Sequence, residues 1–136
     1  MQPRAAAGYS EDARPDAHHF AAFQGRDIVG VASVYQEDPP NACERLPSHA
    51  GTAWRLRGMA TAAALRGSGV GMALLNAARR HAREHGGTVL WCNARTNVSG
   101  FYRRGGLEQA GSEFDLPSIG PHVFMKVELP ESRGGL

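Results

Sequence analysis

Apolar and polar positions change their period several times along this chain, and each change marks an element. His18-His19-Phe20-Ala21-Ala22-Phe23 and Ile28-Val29-Gly30-Val31-Ala32-Ser33-Val34-Tyr35 are two β-type runs. Gln24-Gly25-Arg26-Asp27 joins them with the Gly and Asp of a tight turn, so a β-hairpin is expected. Residues 36–51 hold three prolines without a period and read as a loop. Trp54 to Met59 then alternates apolar and polar residues at period two, the mark of a half-buried strand. Val70, Leu74, Ala77, Ala78 and His81 fall on one face of a helix that Gly86-Gly87 stops. Thr88 to Asn93 is a compact β-branched and aromatic run, read as a buried strand. Such a strand-loop-helix-strand unit places its two strands parallel. Asn97 to Arg104 predicts a short helix with Asn97 as N-cap and Gly105-Gly106 as terminator. Leu107 to Leu116 and Pro121 to Leu129 predict a strand pair around Pro117-Ser118-Ile119-Gly120. The order is β-β-β-α-β-α-β-β, an α/β chain with a mixed sheet.

Composition narrows the class without changing that order. The 136 residues suit a single domain, expected to comprise an irregular arm over 1–17 and a core over 18–130. With 42% hydrophobic and 21% charged residues, the chain has the balance of an ordinary globular protein. No apolar run approaches the ~20 residues of a membrane helix, and Met1 to Gly8 lacks a signal-peptide core, so no membrane partner and a cytoplasmic location are expected. The formal net charge is +2 and no Lys/Arg block exceeds two residues, which argues against a nucleic-acid partner. The 14 Arg against a single Lys, Lys126, point to no function. Cys43 and Cys92 allow at most one disulfide, and Cys92 lies within an apolar run as a small buried thiol would.

The chemistry concentrates in Arg66-Gly67-Ser68-Gly69-Val70-Gly71, between a strand and the start of a helix. Alternate glycines let the backbone turn tightly, and backbone N–H groups at a helix start can cradle a diphosphate without a catalytic side chain. A Rossmann fingerprint would need its third glycine at Met72, and a Walker loop needs a Lys that this segment lacks. Both patterns fail. The segment instead resembles the Arg/Gln-x-x-Gly-x-Gly/Ala signature of the GNAT superfamily of N-acetyltransferases, with Arg66, Gly69 and Gly71 at the defining positions. Thr61 matches the family's strand end five residues earlier. Phe101-Tyr102-Arg103-Arg104-Gly105-Gly106-Leu107 matches its closing helix, with Leu107 in place of the usual Phe. The resemblance covers residues 18–130, and Pro117 to Met125 is also similar to one branch of small bacterial acyltransferases.

The resemblance implies acetyl transfer from acetyl-CoA to a primary amine of a small molecule or peptide by direct attack, without a metal. It places the pyrophosphate on Arg66, Gly67, Ser68, Gly69, Val70 and Gly71, and the pantetheine arm along Met59, Ala60 and Thr61. A backbone N–H there polarises the thioester carbonyl, and Tyr102 is the general acid for the departing thiolate. Two positions depart from the pattern. Arg95 stands where members often carry an Asn that bonds the pantetheine, with Asn97 as the nearby alternative, and Ala63 replaces a frequent Pro. The base that frees the amine is Glu113, Asp115, His122 or water, with Glu113 and His122 ranked first. A CoA-binding module without transferase activity is the alternative reading.

Three further expectations complete the reading. His81-Ala82-Arg83-Glu84-His85 has the spacing of a zinc-peptidase helix, but its place at a helix C-terminus argues for dipole and packing roles. His18 and His19 begin a strand and point to opposite faces. Relative to the family, the chain reads as a core with reduced N-terminal elements, and exposed strand edges allow a homodimer.

Overall fold

The computed structural model describes residues 17–65 and 67–130. The expected arm therefore lies, up to residue 16, outside the described residues, as does Arg66. Strand β1 (His18–Gln24) and strand β2 (Asp27–Gln36) form the expected hairpin, turning through Gly25 at φ +63°. A short helix α1 (Ala42–Arg45) precedes strand β3 (Ala53–Thr61). Helix α2 (Val70–Glu84) leads into strand β4 (Val89–Arg95), and helix α3 (Ser99–Arg104) follows. The C-terminal strands are β5 (Glu108–Gln109), β6 (Phe114–Leu116) and β7 (Gly120–Glu128). No helix among the described residues is long and apolar enough to cross a membrane.

The strands make one sheet in the order β1-β2-β3-β4-β7-β5, with β6 also on β7. Only β3 and β4 are parallel, because α2 carries the chain back across one face between them. Side-chain alternation separates two cores. On the helix face, Leu90, Cys92 and Ala94 of β4 pack with Leu56, Met125 and the α2 residues Leu74, Leu75, Ala78 and Ala82. On the other face, Val89 and Trp91 of the same strand pack with Ala53, Phe124 and Leu46. Adjacent residues of β4 thus belong to different cores, which explains why its sequence is apolar throughout.

Four expectations change in detail. Residues 36–51 are not wholly irregular: the α1 turn delivers Leu46, 1% exposed, to the second core and sets Arg45 over the Phe124 ring at 4.5 Å. Leu107 to Leu116 is not one strand, because Gly111 at φ +97° breaks the pairing between β5 and β6. The buried stripe of α2 is Leu74, Leu75, Ala78 and Ala82, so Ala77 and His81 border the core at half burial. Nor does Asn97 cap a helix: Thr96–Val98 form a 3₁₀ turn, and Ser99 Oγ donates to the Thr96 carbonyl at 2.9 Å.

The two histidines of β1 do part to opposite faces. His18 stacks on His81 at 4.1 Å between ring centroids, on the helix face, while His19 Nδ1 lies 2.8 Å from Ser33 Oγ. Cys92 is buried at 3% exposure, as its apolar run predicts, and Cys43 is exposed.

Candidate active site

The parallel pair that α2 spans is the source of the site. β3 and β4 pair only from Ala53–Arg55 to Val89–Trp91. Beyond that point β3 keeps its partner on the other side, Gly30 and Val31 of β2, but with a shifted register. The shift falls where Gly58 adopts φ +70°, so β3 carries a bulge that only glycine accommodates without strain. Bulges bend and twist a strand, and here β3 leaves β4. A cleft therefore opens between Leu56–Thr61 and Cys92–Arg95, and the β3 peptide groups on that side have no ladder partner among the described residues. The sequence signal for it was a lone Gly58 inside an alternating strand, a sign of a bulge that the period-two reading passed over.

At the open end of the cleft the chain passes from β3 through a short turn, Ala63–Leu65, to the glycine segment. Gly67 and Gly69 adopt φ +83° and +97°, and a Cβ on either would meet nothing within 4 Å, so both serve the backbone path and face open space. Gly71 serves differently. A Cβ there would lie 3.1 Å from Phe101 Cε1 and 3.4 Å from Thr61 Oγ1, so its lack of a side chain lets α2 approach β3 and α3. Ser68 Oγ donates to the Leu65 carbonyl at 2.5 Å, which tightens the turn. The first helical bond is from the Ala73 N–H to the Gly69 carbonyl, leaving the N–H groups of Val70, Gly71 and Met72 without an intrahelical acceptor. Those donors at the positive end of a 15-residue helix suit a diphosphate, and the free β3 edge at Met59, Ala60 and Thr61 suits an extended amide-bearing arm. On these two observations, the residues present fit coenzyme A.

Tyr102 lies on α3, on the helix face of the sheet, against the first core. Its ring meets Phe101 edge-on at 5.0 Å, and no described residue pairs with its hydroxyl. Burial raises the phenol above its ordinary 10, with a smaller push from the neighbouring Cys92. Cys92 itself is pushed up to about 12 by burial, against a weaker opposing pull from Arg55. Both groups are therefore neutral near pH 7, and the phenol is a donor.

The opposite face of the cleft is built from β4 and β7. Asn93 and Arg95 follow Trp91 by alternation, and Arg95 pairs with His122 across the ladder. Asn93 is the first residue of that face beyond the last β3–β4 pair, and its Oδ1 is buried without a hydrogen-bond partner. His122, 5% exposed, donates from Nδ1 to the Gly120 carbonyl at 2.8 Å, which leaves Nε2 as the acceptor nitrogen. Its other neighbour is the Phe114 ring at 6.2 Å. Asp115 alternates with Phe114 in β6 and so points away from His122, and both Asp115 and Glu113 are exposed. Of the sequence candidates for a base, His122 alone is buried beside the cleft strand. Asn97 is exposed beyond the end of β4. Asn93 carried no sequence signal, being one amide at the end of an apolar run.

His81 and His85 do not converge on a common point. Their rings stack at 4.1 Å, with His18 stacked on the far side of His81, and His85 Nδ1 lies 2.9 Å from the His81 carbonyl. Among the described residues, no group of three or more His, Cys, Asp or Glu is placed to hold a metal ion.

Comparison with known proteins agrees with this geometry. The acetyltransferase (GNAT) family matches residues 2–106. An uncharacterised N-acetyltransferase of Bacillus subtilis strain 168, YitI, is 34% identical over 125 residues, which span 92% of this chain and 80% of that protein. Among solved structures, an aminoglycoside 6′-N-acetyltransferase complexed with coenzyme A superposes at a TM-score of 0.71 with 14% identity, over 90% of this chain and 78% of that one. Escherichia coli ElaA superposes at 0.69 with 18% identity, over 88% and 74%. At these identities the two structures speak for the fold alone. The family match and the Bacillus relative carry further: this chain belongs to the GNAT acetyltransferase family, whose members are acyl-CoA-dependent N-acyltransferases.

Proposed function

We propose that the protein transfers the acetyl group of acetyl-CoA directly to a primary amine, within a single domain. The observation that carries this reading is the cleft that the Gly58 bulge opens between parallel strands, with a neutral phenol on one side and an imidazole on the other. In the reading, Arg66, Gly67, Ser68, Gly69, Val70 and Gly71 hold the pyrophosphate through backbone N–H groups, and Met59, Ala60 and Thr61 hold the pantetheine arm. Acetyl-CoA supplies an acetyl group already activated as a thioester. A β3 backbone N–H donates to the carbonyl oxygen as it gains negative charge.

The chain's own groups then manage two protons. His122 Nε2 takes the proton of the attacking amine, as the carbon–nitrogen bond forms. Tyr102 gives its hydroxyl proton to the sulfur as the carbon–sulfur bond breaks. Its elevated pKa keeps it in the donor form. The two groups sit on opposite faces of the sheet, Tyr102 on the helix face and His122 on the other. Of the other base candidates, Asp115 faces away from the site, and Glu113 stands exposed before β6.

The test is release of free CoA across a panel of primary amines, alongside direct binding of acetyl-CoA. Saturable binding with amine-dependent release is expected. Binding without release for any amine would make the chain a CoA-binding module instead.

A further inference from the structure

The acceptor face holds more polar chemistry than the base step uses. Asn93 Oδ1 is buried and unpartnered at the apex of the cleft, and an unsatisfied buried carbonyl oxygen is costly unless a ligand donates to it. Arg95, two residues further along the same face, is exposed, and its guanidinium has no hydrogen bond or ion pair with a described residue. Two positions along a strand are about 6.6 Å apart, and His122 stands directly across from Arg95 and diagonal to Asn93, roughly 7–8 Å away. An acceptor oxygen at the apex and, one step outward, an imidazole and a cation side by side thus share one face.

We propose that this trio is the acceptor site, and that it takes a primary amine that also carries a carboxylate, with the amine on Asn93 and His122 and the carboxylate on Arg95. The assignment rests on the transferase reading above and adds the substrate class to it. The direction follows from the strand. The reacting nitrogen belongs inward, on Asn93 beside the free edge of β3 and within reach of His122 one step outward across β4, and the anion belongs at the cleft mouth on Arg95. The planar guanidinium matches a carboxylate with two parallel hydrogen bonds, a fit that an ammonium or an amide does not share. The acidic side chains of this face are held elsewhere: Glu37 pairs with Arg55, Glu108 with Lys126 and Glu128 with His49, while the β6 residue that meets His122 is Phe114 and Asp115 points the other way. The amine must donate to Asn93 Oδ1 and lose a proton to His122 Nε2. A primary amine has hydrogens enough for both, as the carbon–nitrogen bond forms and the thiolate takes the Tyr102 proton.

The experiment compares free amino acids with their own carboxamides as acceptors, at saturating acetyl-CoA. The carboxamide has the lower amine pKa and so more neutral nucleophile near pH 7, which means that chemistry alone favours the carboxamide. The expected result is the reverse: for at least one side chain in the panel, kcat/KM for the acid exceeds that for its carboxamide at least tenfold, mostly through KM. Arg95→Gln brings the ratio to within about twofold of one, and Arg95→Lys restores part of it. Equal use of acids and carboxamides throughout the panel, or a preference for the acid that survives Arg95→Gln, would overturn the assignment while leaving the transferase reading standing. Failure of every amine to release CoA would overturn both.

Discussion

The two sides of the cleft are built by different means. The donor side is made from backbone: the unpaired edge of β3, the glycine turn and the first N–H groups of α2. Its geometry needs particular φ angles and close approaches, and it tolerates most side chains. The proposed acceptor side is made from side chains, Asn93, Arg95 and His122, each at one position of a regular ladder. The backbone there is ordinary antiparallel strand. A shared cosubstrate can therefore be held by a recurrent chain path, while the acceptor is chosen by residues that can change without disturbing the fold.

This contrast can be broken in several places. The largest effect is expected from Tyr102→Phe, which removes the proposed proton donor but keeps the ring against Phe101: kcat falls by about 10²–10⁴, with acetyl-CoA affinity within about twofold. The pH–rate profile of the parent enzyme should show no alkaline fall from this phenol up to pH 10, because its pKa lies above 10. A steep loss assigned to Tyr102 below that pH would remove it as the acid. His122→Asn, which keeps a donor for the Gly120 carbonyl, should lower kcat by about a hundredfold. A loss confined to stability would leave water as the base.

On the donor side the expected change is in binding. Gly71→Val drives a branched side chain toward Phe101 and Thr61, and acetyl-CoA affinity should fall about tenfold or more, roughly 1.4 kcal/mol. Isothermal titration of the variant reads this directly, and unchanged affinity would show that α2 need not approach so closely. The smallest effect lies far from the cleft, in the His18–His81–His85 stack, which Trp54 and Phe20 flank. Burial, and then His18 and His85, lower the His81 pKa against the raising influence of Glu84. A depressed imidazole pKa means that the unfolded chain takes the proton first. Stability from this residue is thus full above about pH 6.5 and is lost as pH falls through the folded pKa. The melting temperature should fall from pH 7 to 5, and His81→Leu should flatten that slope.

Much of the molecule was legible in the sequence because it is governed by local rules. The hairpin follows from two β-type runs around Gly25, and α2 from a helical period ended by Gly86-Gly87. The parallel β3–β4 pair follows from the handed connection that an intervening helix imposes. The glycine segment was legible for a related reason, since positive φ and a helix start have composition signatures. Errors fell where local signals compete with packing. α1 formed in a proline-bearing stretch because Leu46 gains a place in the second core. Asn97 was displaced as a cap by a 3₁₀ turn that Ser99 ties down.

By itself the sequence determined the elements, their order and the glycine turn at the start of α2, because dihedral preference and side-chain period act between near neighbours. Only the tertiary structure decided the cleft and the face proposed for the acceptor. Gly58 becomes a bulge through its register against β2. Asn93 becomes an unpaired acceptor because β3 departs at the residue before it, and His122 stands beside it because β7 inserts next to β4. These relations join residues that are tens of positions apart, and no local pattern records them, because they arise from how the sheet distributes its ladder bonds and buries its two faces.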